Sequence, residues 1–173
     1  AKAMLARLYI NAEIYTGTPR WADAEAAADE VINSGNYSLT SNFFSNFTER
    51  NNGSTENILT LPYDQNNAGG FNLAQMTLHY LSQNTYNLQE QPWNGYASLE
   101  EFYNSFDDND ARKNSFLVGP QFSSDGSRLL DISAEPNDPD GEPLTFTPEI
   151  NMLAPNAFRQ AGARVGKFEF AFG

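Results

Sequence analysis

His79 is the single histidine of the chain, and there is no cysteine. A zinc site built from two histidines, an HExxH motif or thiolates therefore lacks its ligands. A Ser-His-Asp triad would have to use His79, which lies in a neutral segment, and no GxSxG elbow occurs in the sequence. A satisfied or solvent-facing histidine is the expectation. Gly69 and Gly70 are not followed by the lysine and helix start that a phosphate-binding loop needs. Asp107, Asp108 and Asp110 come nearest to the carboxylate pair that a glycosidase holds roughly 5–10 Å apart. Acids at a helix end in a chain of net charge −12 are usually solvated or paired, here with Arg112. In the loop 137–142, Asp138, Asp140 and Glu142 alternate on a Pro/Gly turn, as weak candidate calcium ligands. That spacing does not match an EF-hand, and a plain turn with solvated acids is the alternative; no other cofactor is implied.

The segment 63–96 offers a different chemistry. From Gln65 to Gln89 no side chain carries a formal charge if His79 is neutral, and 9 of those residues are Asn or Gln. Neutral sugars need directional donors and acceptors for their hydroxyls, which side-chain amides supply in both senses. Their C–H faces rest on flat aromatic rings. Trp93, Tyr96, Tyr86, Phe71 and Tyr63 are the candidate stacking residues, with Trp93 as the main platform. Asn94, Gln91 and Asn67 are the candidate hydroxyl partners, and Gly95 permits close approach. The bland alternative is that long loops collect Asn and Gly, and aromatics pin them to a core.

The elements that would carry these residues follow from periodicity. Ala1, Met4, Leu5, Leu8, Ala12 and Tyr15 form a 3.6-period stripe over 1–16, and Trp21, Ala24, Ala28, Val31 and Ile32 form another over 21–34. Gly17-Thr18-Pro19 separates them, and Gly35 suits a left-handed helix end. The result is an antiparallel hairpin of about 34 residues, the size of a tetratricopeptide unit, which cannot bury its faces alone. Residues 56–61 read as a short strand, one short helix fits around Phe71–Leu81, and 98–106 reads as a helix opened by a Ser98/Glu101 capping box. Short strands are expected at 115–118, 128–133, 143–147 and 164–170, with turns at Asp125-Gly126 and Asp140-Gly141. The expected fold is mainly α in one domain: a tetratricopeptide-like helical hairpin (1–39) plus an irregular loop-rich region with a few short β-strands (40–173), the latter bearing the glycan site.

Composition limits the partners. The 173 residues include 10 Lys and Arg against 22 Asp and Glu, a formal charge of −12, which repels phosphate backbones and anionic lipid heads. Nucleic acid and membrane-surface binding are therefore not expected. No run of about 18 apolar residues occurs to span a bilayer. Core-forming pattern at both ends leads us to expect a piece of a longer chain.

Several segments together resemble the SusD/RagB family of surface glycan-binding lipoproteins of Bacteroidetes. They are AKAMLARLYI at 1–10, AAADEVINSGNYSL at 26–39, ENIL at 56–59, NGY at 94–96, EFYNSFD at 101–107 with Asp110 and Arg112, GEPLTFTPEI at 141–150, and RVGKF at 164–168. Their order over nearly the whole chain carries the resemblance, as a middle-to-C-terminal portion. It implies a protein that binds oligosaccharide without cleaving it and passes it to a SusC-like TonB-dependent transporter in the outer membrane. It implies a cell-surface location through a lipid anchor outside this chain. It also implies that Tyr63, Phe71, Tyr86 and Trp93, in the loops between the 56–59 and 94–96 pieces, face the sugar. The residues leave two alternatives open: a helical-repeat adaptor that binds protein, and a glycosidase using Asp107 and Asp110.

Overall fold

The computed structural model describes residues 1–63, 66, 69–70, 72–132, 141–150, 153 and 158–170. The chain divides into two compact units, one made of Ala1–Asn46 and Arg50–Pro62, the other of Phe47–Glu49 and Tyr63–Gly173.

In the first unit, α1 (Lys2–Ile10) and α2 (Ala12–Thr16) are separated by a break at Asn11, and α2 ends at Gly17 with φ 74°. They are followed by α3 (Trp21–Ile32). The Lys2 ammonium meets the Glu30 carboxylate at 2.8 Å, and the Arg20 guanidinium lies 4.2 Å from the centre of the Tyr9 ring. The start of α1 thus faces the end of α3, and the expected antiparallel pair forms. Ala24 and Ala27 are its closely packed positions, because a methyl side chain lets two backbones approach. Ala12 is buried as the first stripe predicts, but Met4, Leu8 and Tyr15 from that stripe, and Trp21 and Ile32 from the second, are more than half exposed. Beyond the helices, the Glu56 carboxylate accepts bonds from the Thr40 backbone N–H and hydroxyl, both at 2.7 Å. These bonds hold its pKa below the ordinary value. The strand expected at 56–61 does not form. Leu59 and Leu61 stand largely in solvent and Ile58 nearly half so, and no strand among the described residues pairs with them.

The second unit contains α4 (Leu73–Thr77), α5 (Ser82–Tyr86) and α6 (Glu100–Asn104). Its strands are β1 (Phe116–Leu117), β2 (Gly119–Pro120), β3 (Leu130–Asp131), β4 (Glu142–Pro143), β5 (Thr145–Phe146) and β6 (Arg164–Val165). They pair antiparallel as β1–β6, β2–β5 and β3–β4, with register Phe116 to Val165, Gly119 to Phe146 and Leu130 to Pro143. The core is small: Leu129, Leu144 and Phe146 are buried together, with Leu81 and Leu117 against them. Phe116 gathers Phe102, Tyr103 and Phe106 edge-on or tilted, at centroid distances of 5.9, 5.7 and 5.5 Å. The aromatic face expected over 98–106 is therefore a packing face. Its capping box is absent: α6 starts after Leu99 without a side-chain cap, because the Ser98 backbone is bonded to Ala163 at 2.8 Å as a β-bridge. The Asp125-Gly126 turn forms as expected, with the Asp125 carboxylate bonded to Ser123 and Ser127. Those bonds lower its pKa to about 2.

The mainly α, tetratricopeptide-like expectation is corrected. The described residues are 34% helical and 12% strand, a mixed and loop-rich architecture. Four of the α-helices are only 5 residues long, far below the length at which a helix holds itself. Beyond the hairpin, Asn, Gly and Pro interrupt many of the apolar runs. Backbone bonds between distant loops then replace helical ones.

Candidate functional site

Residues 92–97 form an irregular strap hydrogen-bonded to α4 and the residue after it. The Trp93 N–H donates to Gln75 O at 2.6 Å, Asn94 N–H to Leu78 O at 2.9 Å, and Gly95 and Tyr96 N–H both to Met76 O at 2.7 and 2.8 Å. Pro92 is fully buried and anchors the entry. A Cβ on Gly95 would sit 3.2 Å from Met76 O, so the close approach that glycine permits is to the protein's own backbone. Asn94 adopts φ 53°, a conformation Asn tolerates better than most residues.

The strap leaves its two large rings outside. Trp93 is 49% exposed and Tyr96 59% exposed. Tyr96 and Asn94 line a groove of about 430 Å³, together with Tyr80, Phe158, Arg159 and Arg164. Trp93 is not among its walls. A second depression of about 420 Å³ is lined by Tyr80, Gln91, Asp131 and Arg159, so the Tyr80–Arg159 pair borders both. The Arg159 guanidinium lies 4.6 Å from the centre of the Tyr80 ring.

Beneath the groove sits a buried polar network. Arg164 is 2% exposed; its Nε donates to Asn94 Oδ1 at 2.9 Å, Nη1 donates to Ala161 O and Gly162 O at 2.7 Å, and Nη2 donates to Arg159 O. The Asn94 amide also donates to Arg159 O at 3.3 Å. Both ends of that amide, expected to meet sugar hydroxyls, are already engaged within the protein. Burial lowers the Arg164 pKa to about 10, which leaves it charged at neutral pH. Nearby, His79 is fully buried, with Nε2 at 3.1 Å from Asp131 Oδ2 and Nδ1 accepting the Leu81 backbone N–H at 3.1 Å. An Nδ1 that accepts must be unprotonated, so the ring is neutral and Nε2–H donates to Asp131. Burial is the main cause that lowers its pKa from 6.5 to about 4; Asp131 opposes it, and Arg164 and Arg159 reinforce it. This is the satisfied histidine of the sequence reading, and neither nitrogen faces a nucleophile.

The other expected site residues are dispersed. Gln91 is exposed at the second depression. The Tyr86 ring packs on Phe170 at 4.6 Å, and burial raises its hydroxyl pKa. Tyr63 is 58% exposed. Asn67 and Phe71 lie outside the described residues, as do Asp138 and Asp140 of the calcium candidate. Glu142 lies in β4, exposed. Among the described residues no group of three or more His, Asp or Glu converges to hold a metal. Asp110 is tied to Arg112 at 2.6 Å and Asp108 to Lys113 at 2.6 Å. These bonds lower both carboxyl pKa values, opposite to what a general acid requires. Arg159 and Phe158 were missed in the sequence. The one signal was a cation beside an aromatic, Phe158-Arg159, in a chain poor in charge. Compared with known proteins, the chain matches no family model, no curated protein and no solved structure.

Proposed function

We propose that the chain binds oligosaccharide without cleaving it, with Trp93 and Tyr96 as the stacking rings. The observation that carries this is the strap: four backbone hydrogen bonds fix an uncharged segment that nonetheless leaves an indole and a phenol about half exposed. Fixing the segment in advance removes much of the ordering cost that an exposed loop would add on binding. The rings then offer large apolar area to a sugar face with few torsions to freeze. Hydroxyl hydrogen bonds exchanged with water add little net energy, so modest affinity is expected. The resemblance to SusD/RagB proteins supports the same reading. It extends the proposal to delivery of the bound glycan to a SusC-like TonB-dependent transporter at the outer-membrane surface, with anchoring through a lipid outside this chain.

Trp93→Ala should weaken binding to a responding member of an oligosaccharide panel tenfold or more, a loss of about 1.4 kcal/mol. Its circular dichroism should be unchanged. Equal binding by the variant would remove the site assignment. A protein-binding adaptor remains the second reading, favoured by the exposed Met4, Leu8, Ile14, Trp21 and Ile32 of the helical hairpin. It predicts no response to any oligosaccharide in the same panel.

A further inference from the structure

We infer that the groove beside Tyr96 is a subsite for a carboxylate-bearing sugar unit, received by the Arg159 guanidinium. The inference rests on the glycan-binding reading and adds the chemical class of one unit of the ligand.

Charge is scarce around the strap, yet two guanidiniums meet at this groove. Arg164 is buried, and its four hydrogen bonds all go to neutral oxygens. Arg159 has one ion pair among the described residues, a loose 3.5 Å contact from Nη2 to Asp131 Oδ1. Asp131 also accepts from the neutral His79, and among the described residues it is the one carboxylate paired with either guanidinium, so the two arginines carry an excess positive charge over the partners described. In a chain of net −12, such an excess is not a consequence of composition. A buried cation without a counter-charge is costly unless something at the site repays it.

The two arginines have different parts. Arg164 has spent its donors on the protein, and with Asn94 it fixes the carbonyl of residue 159; it is a positioning residue that also supplies field. Arg159 is the reader. Its side chain is 32% exposed, and its buried Nε has no hydrogen-bond partner among the described residues. Tyr80 supports the guanidinium plane from one side. A planar fork held this way suits a carboxylate, which can take two parallel N–H bonds. Tyr96 and Phe158 on the same walls offer apolar surface to the ring that bears that carboxylate. The chemistry is that of a uronic or sialic acid unit within a glycan otherwise read by neutral groups.

The test uses matched pairs that differ only in the acid: oligogalacturonate, oligoglucuronate and sialyllactose, each against its carboxyl-reduced form. Sodium acetate at equal ionic strength is a further arm. Titration calorimetry at 50 mM salt should find one acidic member bound at least tenfold tighter than its partner. That preference should shrink in 500 mM salt and collapse to near unity in Arg159→Gln. Trp93→Ala should weaken both members of the pair by the same factor and keep the acid preference, with an unchanged circular dichroism to separate this from a loss of fold. Equal affinity within every pair overturns the carboxylate subsite and leaves the aromatic platform standing. Acetate binding as tightly as the acidic sugar overturns it too, in favour of a bare anion site. No binding by any member removes both readings.

Discussion

Acidification should unfold this protein partly through one imidazole. His79 is held neutral, since Nδ1 accepts the Leu81 N–H and the ring is fully buried beside two guanidiniums. An unfolded chain takes up the proton near 6.5, the folded one only near 4. Between those values the unfolded state binds more protons, so stability rises with pH across that window. The contribution is fully present above about pH 6.5 and is lost as pH falls through 4. Going from pH 7.5 to 4.5 removes about 2–3 kcal/mol through this group, each tenfold displacement of a proton equilibrium being worth about 1.4 kcal/mol. Urea unfolding followed by tryptophan fluorescence at the two pH values measures the loss. The same pair of measurements on His79→Gln isolates the imidazole and its bond to Asp131, because groups away from the ring contribute alike in both proteins and cancel. The parent should lose about 2–3 kcal/mol more than the variant. With only one histidine in the chain, its NMR titration is unambiguous and should show an Nε2–H tautomer down to low pH. An imidazole titrating above pH 6, or equal losses in the two proteins, refutes the reasoning.

Phe146→Ala should cost about 3–5 kcal/mol in urea unfolding, because the ring is 1% exposed at the centre of a core too small to close over the void. Gly162→Ala should cost about 1–3 kcal/mol: φ is 83°, and the new methyl would stand 2.5 Å from the Ala97 Cβ. A melting temperature within a degree of the parent would contradict that. Asn94→Ala removes the acceptor of Arg164 Nε and should lower stability by about 1–3 kcal/mol even without ligand. If it instead weakened glycan binding with stability intact, the amide would be a ligand contact after all.

The hairpin was legible because helical periodicity is local: alanines at 24 and 27 and the glycine after α2 act within a few residues of themselves. Most short strands were legible for the same reason. Elements decided by distant partners were not. Ser98 has the sequence of a helix cap, but Ala163, 65 positions later, takes its backbone. Asn94 and Gly95 look like ligand chemistry in the string WNGY, whereas their neighbours are Arg164 and Met76. Arg159 is nearly silent in the sequence, beyond its place beside Phe158, because its significance comes from Tyr80, Asp131 and Tyr96, none of them close in the chain. The indole at 93 was singled out by the Asn94-Gly95-Tyr96 beside it, and it stands 49% exposed.

The strap over α4 is held by main-chain amides, which do not depend on which side chains they carry. Positions 93 and 96 could therefore exchange one ring for another, or for a polar group, while the ribbon beneath kept its course. Positions 92, 94 and 95 have no such freedom, being locked by the core, by Arg164 and by Met76. Such a division lets the exposed face change by single codons, with the scaffold untouched and only the displayed rings rewritten.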